Sequence, residues 1–276
     1  MIALITGTNS GIGLATSVEL AKAGHTVVAT MRNLGKADAL QAAAAEAGVE
    51  IELAALDVTD GAAIVQVVAD VIAKHGSIDV LVNNAGATYV GTLEQIGDDD
   101  LARTMDVNFT GVARLSREVL PHMRAQGSGR IVSVTSVGGV VGQPFNDAYC
   151  AAKFAVEGLM QSLHPIAAAH GIKVSVVEPG AVSSDFVANA GDSVAERTSV
   201  VDAYTPQLQN YVERTSGAFA DAQTPQDVAE VIAAVVAADE PAFRYQTGER
   251  STMFAGMSLS DLDGSVVTGA TAGWVN

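Results

Sequence analysis

Short runs rich in Val and Ile recur along this chain at residues 2–6, 26–30, 51–56, 80–82, 130–135 and 173–177, with helically periodic stretches between them. Strands that are apolar on consecutive positions are buried on both faces, and strands that alternate with helices are joined by right-handed crossovers. The pattern therefore predicts a parallel sheet covered by helices on both sides, a doubly wound α/β fold in one domain spanning residues 1–276. No linker or repeat divides the chain, and the run Ala42-Ala43-Ala44-Ala45 reads as part of a plain helix. Farther on, Thr224-Pro225 reads as a helix N-cap and first turn, the helix running to about Ala237, and residues 242–245 read as a seventh strand. Between the sixth strand and that helix, residues 183–222 show no clear strand pattern and are placed to cover a ligand as a lid.

The first strand runs straight into Thr6-Gly7-Thr8-Asn9-Ser10-Gly11-Ile12-Gly13, and a helical stretch follows. Glycines at this spacing let the backbone turn sharply and approach a pyrophosphate, whose charge is met by amides at the helix N-terminus. A dinucleotide is thus expected at Gly7, Ser10, Gly11, Ile12 and Gly13. The end of the second strand selects which one: a carboxylate there binds the adenosine ribose, whereas an arginine pairs with a 2′-phosphate. The run Thr30-Met31-Arg32-Asn33 has no carboxylate and supplies Arg32, which points to NADP(H) over NAD(H). The alternative is a solvated loop charge.

In mid-chain, Tyr149 and Lys153 stand four residues apart at what reads as a helix start, so their side chains share one face. A fixed cation beside a phenol stabilises the phenolate and is expected to lower its pKa from ~10, making Tyr149 a general acid/base. The plain alternative is a surface tyrosine beside a solvated lysine.

A formal charge of −16 excludes a general nucleic-acid binder, which needs clustered Lys and Arg. The single cysteine, Cys150, cannot form an internal disulfide and reads as a small buried residue. Met1 leads into Ile2-Ala3-Leu4-Ile5 with no basic segment ahead of it, and apolar runs stop short of the ~18 residues a membrane span needs, so the expectation is a cytoplasmic protein without membrane or nucleic-acid partners.

The elements Thr6-Gly7-x-x-x-Gly11-x-Gly13, Asp57-Val58, Asn83-Asn84-Ala85-Gly86, Asn108, Ser136, Tyr149-x-x-x-Lys153 and Pro179-Gly180 occur in this order over most of the chain. Together they resemble the short-chain dehydrogenase/reductase family, and the run from Val137 to Leu159 is similar to its estradiol 17-beta-dehydrogenase branch. The resemblance implies a Rossmann-type sheet of about seven strands and an oxidoreductase that interconverts a carbonyl and a secondary alcohol. It implies that Tyr149 exchanges the proton, that Lys153 binds the nicotinamide ribose, that Ser136 orients the substrate oxygen and that Asn108 supports a proton relay. It also implies cofactor contacts at Asp57, Val58, Asn83, Ala85, Gly86, Pro179, Gly180, Val182 and Ser184. For Asp57 an adenine contact and the N-cap of the next helix are equally open. Ser10 is uncharged where many NADP-preferring members carry a basic residue, and Ser184 stands where threonine is usual. An NAD(H)-dependent alcohol dehydrogenase and a non-catalytic dinucleotide sensor are the alternatives. The substrate is expected to be a small molecule with a bulky apolar body, and Val140, Val141, Gln143, Phe145, Phe186, Tyr204, Tyr211 and Phe219 read equally as the border of its pocket or as packing. Family members are usually dimers or tetramers, and the tail from Ser251, with Met253, Phe254, Met257 and Trp274, is placed either to close the pocket or to lie in a subunit interface.

Overall fold

A computed structural model describes residues 1–183, 202–220 and 222–275, the side chains of 216–220 excepted. Seven strands, β1 (Ile2–Thr6), β2 (Thr26–Met31), β3 (Glu52–Ala55), β4 (Val80–Asn83), β5 (Gly129–Val134), β6 (Ile172–Glu178) and β7 (Arg244–Gln246), form one parallel sheet in the order β3-β2-β1-β4-β5-β6-β7. Only β1 keeps the bounds of the sequence reading; β2 and β4 shift by one residue at one end, and β3, β5 and β6 by one at each end. Outermost β3 keeps only its four paired residues, and β7 starts at Arg244, where pairing with Val176 begins.

Alternate residues of each strand enter different cores, which is why the central strands β1 and β4 read as nearly unbroken apolar runs. Leu4, Leu81 and Ile131 pack with α3 (Gly61–His75), α5 (Gly111–Gln126) and α6 (Asp147–Ala168). Ala3, Ile5, Val80, Val82 and Val132 pack on the opposite face with α1 (Gly11–Lys22), α2 (Asp38–Ala47) and the helix Pro225–Ala237. The last of these starts as read: Thr224 accepts from the Asp227 amide, and the Asp227 carboxylate accepts from the Thr224 amide.

After β1 the chain crosses to β2 and β3 on one side, and β4 then joins β1 on the other. This reversal opens a crevice at the carboxyl ends of β1 and β4, where open α/β sheets bind ligands. A short helix, α4 (Asp98–Met105), precedes α5.

The segment after β6 leaves and returns at one place. The Ser183 amide donates to the Gln223 carbonyl at 2.8 Å, and the Gln223 amide donates to the Ala181 carbonyl at 3.0 Å. Of the expected lid, Ser184 and Phe186 lie outside the described residues, as does the Phe219 side chain; helix α7 (Thr205–Ala220) is described. It sets Leu208, Tyr211 and Val212, with Tyr204 just before it, against Val90 and Phe145. The helix from Pro225 is α8. The tail folds as α9 (Glu249–Ser260) and α10 (Ser265–Ala272), with Phe254 and Ala255 packed on Val137, Val140 and Val141. Val140 and Val141 thus contact the tail helices, and Phe254 meets Trp274 edge to face with ring centroids 5.7 Å apart. Among the described residues no helix is long and apolar enough to cross a membrane.

Candidate active site

The turn after β1 is built by glycine for two separate reasons. Gly7 and Gly11 have φ of +69° and +57°, the left-handed region that side chains disfavour. Gly13 is instead excluded from carrying a side chain by contact, because a Cβ there would lie 2.2 Å from the Gly7 carbonyl oxygen and 2.5 Å from Asn84 Nδ2. Across the crevice, the Thr6 hydroxyl accepts from the amides of Asn84 and Ala85, both at 3.0 Å. Asn84 Nδ2 donates to the carbonyls of Thr6 at 2.9 Å and Gly7 at 3.0 Å. Asn84 thus clamps the glycine turn to the end of β4. The motif reading included this residue but gave it no role, because its partners are 77 and 78 positions away.

Arg32 is exposed directly after β2, and no salt bridge holds it among the described residues. Its charge acts on Asp57. Burial would raise that carboxyl, but the Thr59 amide and hydroxyl bonds to Oδ1, at 2.9 and 2.7 Å, and the Arg32 charge hold it below its ordinary value. The N-cap of α3 is Asp60, whose side chain accepts from the Ala62 and Ala63 amides. Asp57 therefore closes a turn three residues earlier, and its reading as the helix cap is corrected. Val58 is buried against Gly111 at the start of α5.

Asn83 is a bolt through the sheet, its Nδ2 donating to the hydroxyls of Ser116 at 3.2 Å and Ser133 at 3.3 Å. The helix formed by α4 and α5 is interrupted at Asp106–Thr110 by one π-turn, and Asn108 lies within it. Such bulges redirect a side chain from the regular helical ladder and recur at functional sites. Fully buried, Asn108 donates through Nδ2 to the carbonyls of Ala87 at 2.8 Å and Thr104 at 2.9 Å, and accepts from the Ala87 amide at 3.2 Å. Gly86 lies between Asn108 and Lys153: a Cβ there would be 3.0 Å from Asn108 Oδ1 and 3.9 Å from Lys153 Nζ.

Ser136 follows β5 in extended conformation, its Oγ accepting from the Gly138 amide at 3.0 Å and hydrogen-bonded to Tyr149. The two neighbouring hydroxyls are engaged elsewhere. Ser133 bonds Asn83, and Thr135 donates to Glu157 Oε1 at 2.6 Å. Helix α6 then places Tyr149 and Lys153 on one face, Lys153 Nζ lying 5.7 Å from the Tyr149 ring centroid and donating to the Val134 carbonyl at 3.0 Å. Phe145, just before this helix, has φ +61°, a strained conformation for an aromatic residue, and its carbonyl accepts from the Gly91 amide.

Burial sets the electrostatics of this group. It lowers Lys153 to about 8, against the opposing charge of Glu157. It raises the Tyr149 phenol well above its ordinary value, with the Ser136 hydrogen bond acting the other way. The expected lowering of the Tyr149 pKa is therefore not what the protein alone gives, because desolvation of a phenolate outweighs its neighbours here. Pro179 accepts at its carbonyl from the Val137 amide, Gly180 follows it, and Val182 is buried and bridged to Gln223, so this strip runs beside Ser136.

The glycine turn, Asn83 to Gly86, Asn108, Ser136, Tyr149 and Lys153 all meet at the carboxyl end of the sheet, around the point where its order reverses. A glycine turn opening a helix beside this constellation is the arrangement that holds a dinucleotide, and it sets the chain among the nicotinamide-dependent oxidoreductases. The family model for short chain dehydrogenase matches residues 1–195. Human 17-beta-hydroxysteroid dehydrogenase type 1 is 38% identical over 273 residues, covering 96% of this chain and 82% of the relative. Human retinol dehydrogenase 8 is 38% identical over 276 residues, covering 97% and 88%. The solved structure of a single-substitution variant of actinorhodin polyketide ketoreductase with NADPH superposes with a TM-score of 0.78 at 31% identity, covering 89% of this chain and 94% of that one. The chain belongs to the short-chain dehydrogenase family. It is an oxidoreductase acting on CH–OH donors with a nicotinamide dinucleotide.

Proposed function

We propose that this protein is an NADP(H)-dependent reductase of bulky apolar ketones, working reversibly on the matching secondary alcohols, with Tyr149 as the proton donor. The observation that carries the reading is the convergence of Ser136, Tyr149, Lys153 and Asn108 beside the glycine turn. When bound, the reduced nicotinamide supplies a hydride to the carbonyl carbon. The chain supplies the rest. Gly7, Ser10, Gly11, Ile12 and Gly13 hold the pyrophosphate with backbone amides, Arg32 pairs with the 2′-phosphate, and Asp57 and Val58 border the adenine. Asn83, Ala85, Gly86, Pro179, Gly180 and Val182 would line the nicotinamide half, and the resemblance adds Ser184, which lies outside the described residues.

Ser136 hydrogen-bonds the substrate oxygen and orients it, and the Tyr149 hydroxyl gives that oxygen its proton as negative charge develops there. A phenol held above its ordinary pKa stays protonated throughout the neutral range, which suits a donor. The Lys153 ammonium holds the ribose hydroxyls and stabilises the phenolate left behind. Asn108, through the π-turn, positions the backbone next to Lys153.

An apolar substrate is favoured by the Val90, Phe145, Leu208, Tyr204 and Tyr211 cluster under α7, and by the steroid and retinol named in the two relatives. The test is turnover of a ketone panel with NADPH and with NADH, for the wild type and Tyr149→Phe. Faster turnover with NADPH, and near-complete loss in Tyr149→Phe with NADPH binding retained, are expected. Equal turnover in Tyr149→Phe removes Tyr149 from the mechanism, and faster turnover with NADH refutes the role of Arg32.

A further inference from the structure

Behind Lys153, away from the crevice, lies a buried charge cluster that the proposed chemistry does not use. Glu157 is one helical turn beyond Lys153 on α6, and Glu178 ends β6; they are 4% and 0% exposed. Arg244 of β7 lies between them, with Nε 3.1 Å from Glu157 Oε2 and 3.1 Å from Glu178 Oε1. That nitrogen carries one hydrogen, and it is directed to Glu157. Glu178 Oε1 is left as a buried carboxylate oxygen without a hydrogen bond among the described residues. Gln246 Nε2 donates to Glu178 Oε2 at 2.8 Å, Thr135 Oγ1 donates to Glu157 Oε1, and Gln161 Oε1 accepts from Arg244. The Glu157 stem is packed against Gly139, where a Cβ would be 3.1 Å from Cγ.

The groups facing Glu157 are thus Lys153 and Gln161 from its own helix, Thr135 just after β5, Glu178 from β6 and Arg244 from β7, with Gln246 of β7 held on Glu178. Two carboxylates share one guanidinium, which leaves one negative charge in excess, and the buried cation on the other side is Lys153. Like charges this close resist joint ionisation, and Glu178 is among the causes, after burial itself, that push Glu157 up to about 7.

We propose that Glu157, held by Thr135 and Arg244 and opposed by Glu178, is the positioning residue that sets the charge of Lys153. Glu157 touches neither substrate nor cofactor. It acts through Lys153 by its charge, and through Thr135 by fixing the residue next to Ser136. A unit charge about one helical turn away, in a medium of effective dielectric ~20, changes a proton affinity by about tenfold or more. Removing the Glu157 charge therefore makes Lys153 lose its proton at lower pH. Removing the Glu178 charge lets Glu157 ionise more fully and does not weaken Lys153.

This inference rests on the proposed catalytic reading only for its consequence in turnover, so its test begins with the protein alone. The chain has five lysines, few enough to follow each by NMR of ε-13C-lysine, with Lys153→Met identifying the signal of interest. In Glu157→Gln the Lys153 midpoint is expected to fall by about tenfold in proton affinity, and in Glu178→Gln to stay at the wild-type value or rise. A wild-type midpoint in folded Glu157→Gln overturns the proposal. If Glu157→Gln does not fold, Glu178→Gln decides alone, and a fall there overturns it. The alkaline limb of the pH–rate profile is then compared. A limb that moves with the Lys153 midpoint supports both readings, whereas a shifted midpoint with an unmoved limb upholds the charge coupling and overturns the catalytic role of Lys153.

Discussion

Gly13→Ala tests the crevice most directly, because its effect follows from contacts already present. The added Cβ would lie 2.2 Å from the Gly7 carbonyl oxygen and 2.5 Å from Asn84 Nδ2. Non-bonded heavy atoms are at ease near ~3.5 Å, so relief needs a shift of roughly 1 Å. The turn has nowhere to move. A Cβ built on Gly7 would itself be 2.8 Å from the Ala85 Cα, so the backbones of the turn and of the segment after β4 are already in close contact, and Asn84 ties them together. Overpacking of this kind costs typically ~1–3 kcal/mol, and the upper half is expected because backbone, not a flexible side chain, must yield. For a chain of this size that lowers the melting temperature by about 5–10 °C. The same shift displaces the amides expected to hold the pyrophosphate, so NADPH affinity, read by nicotinamide fluorescence, is expected to fall by about 100-fold, ~2.7 kcal/mol. Gly158→Ala is the control. It sits in α6 with nothing within 4 Å of the added Cβ, and should gain up to ~1 kcal/mol with NADPH binding unchanged. Gly13→Ala with wild-type melting and affinity would refute the close-contact argument.

Arg32→Ala should weaken NADPH binding by about tenfold or more while leaving NADH binding nearly unchanged, as isothermal titration with each cofactor would show, since of the two cofactors only NADPH carries a 2′-phosphate for that charge to pair with. Asn108→Ala removes three hydrogen bonds at a fully buried position, and a loss of ~2–4 kcal/mol in denaturant unfolding is expected, together with lost turnover. The buried charges also fix a pH dependence of stability. Glu157 is raised to about 7, so the folded protein binds the extra proton and this contribution is lost as pH rises toward 7. Lys153 is lowered to about 8, below the unfolded lysine, so stability is regained from pH ~8 to ~10.4 as its proton leaves. The difference between wild type and Lys153→Met, from urea unfolding across pH 5 to 10, should show the second limb only in wild type; parallel curves contradict the burial of a charged Lys153.

Local pattern carried most of the fold. β1 and β4 are near-contiguous apolar runs, β2, β3, β5 and β6 are apolar-rich with polar residues among them, and the glycine turn lies beside the strand that positions it, so neither needed information from elsewhere in the chain. The site was legible to the extent that its members share a turn or a helix face, as Tyr149 and Lys153 do. What escaped the sequence depends on distant partners or on burial. Asn84 acts on the β1 turn, and Glu157 meets Arg244 from 87 positions away. Asp57 and Asp60 both precede α3, and only backbone geometry decides which caps it. The direction of the Tyr149 shift was missed because i, i+4 spacing reports the neighbour and not the water removed around both groups.

That miss bears on how the site works. An exposed tyrosine and lysine would keep ordinary pKa values of ~10 and ~10.4, the phenol protonated and the amine charged at neutral pH. Burial moves the two apart, keeping the phenol protonated to still higher pH and making the ammonium easier to discharge. A lysine so placed needs compensation to stay charged near neutral pH, and on α6 the next residue on the same face is Glu157. The Glu157 carboxylate is itself strained between Glu178 and a guanidinium whose single Nε hydrogen cannot serve both. On the proposed coupling, the sheet edge at β7 is linked through one helical turn to Lys153 and, beyond it, to the proposed proton donor Tyr149.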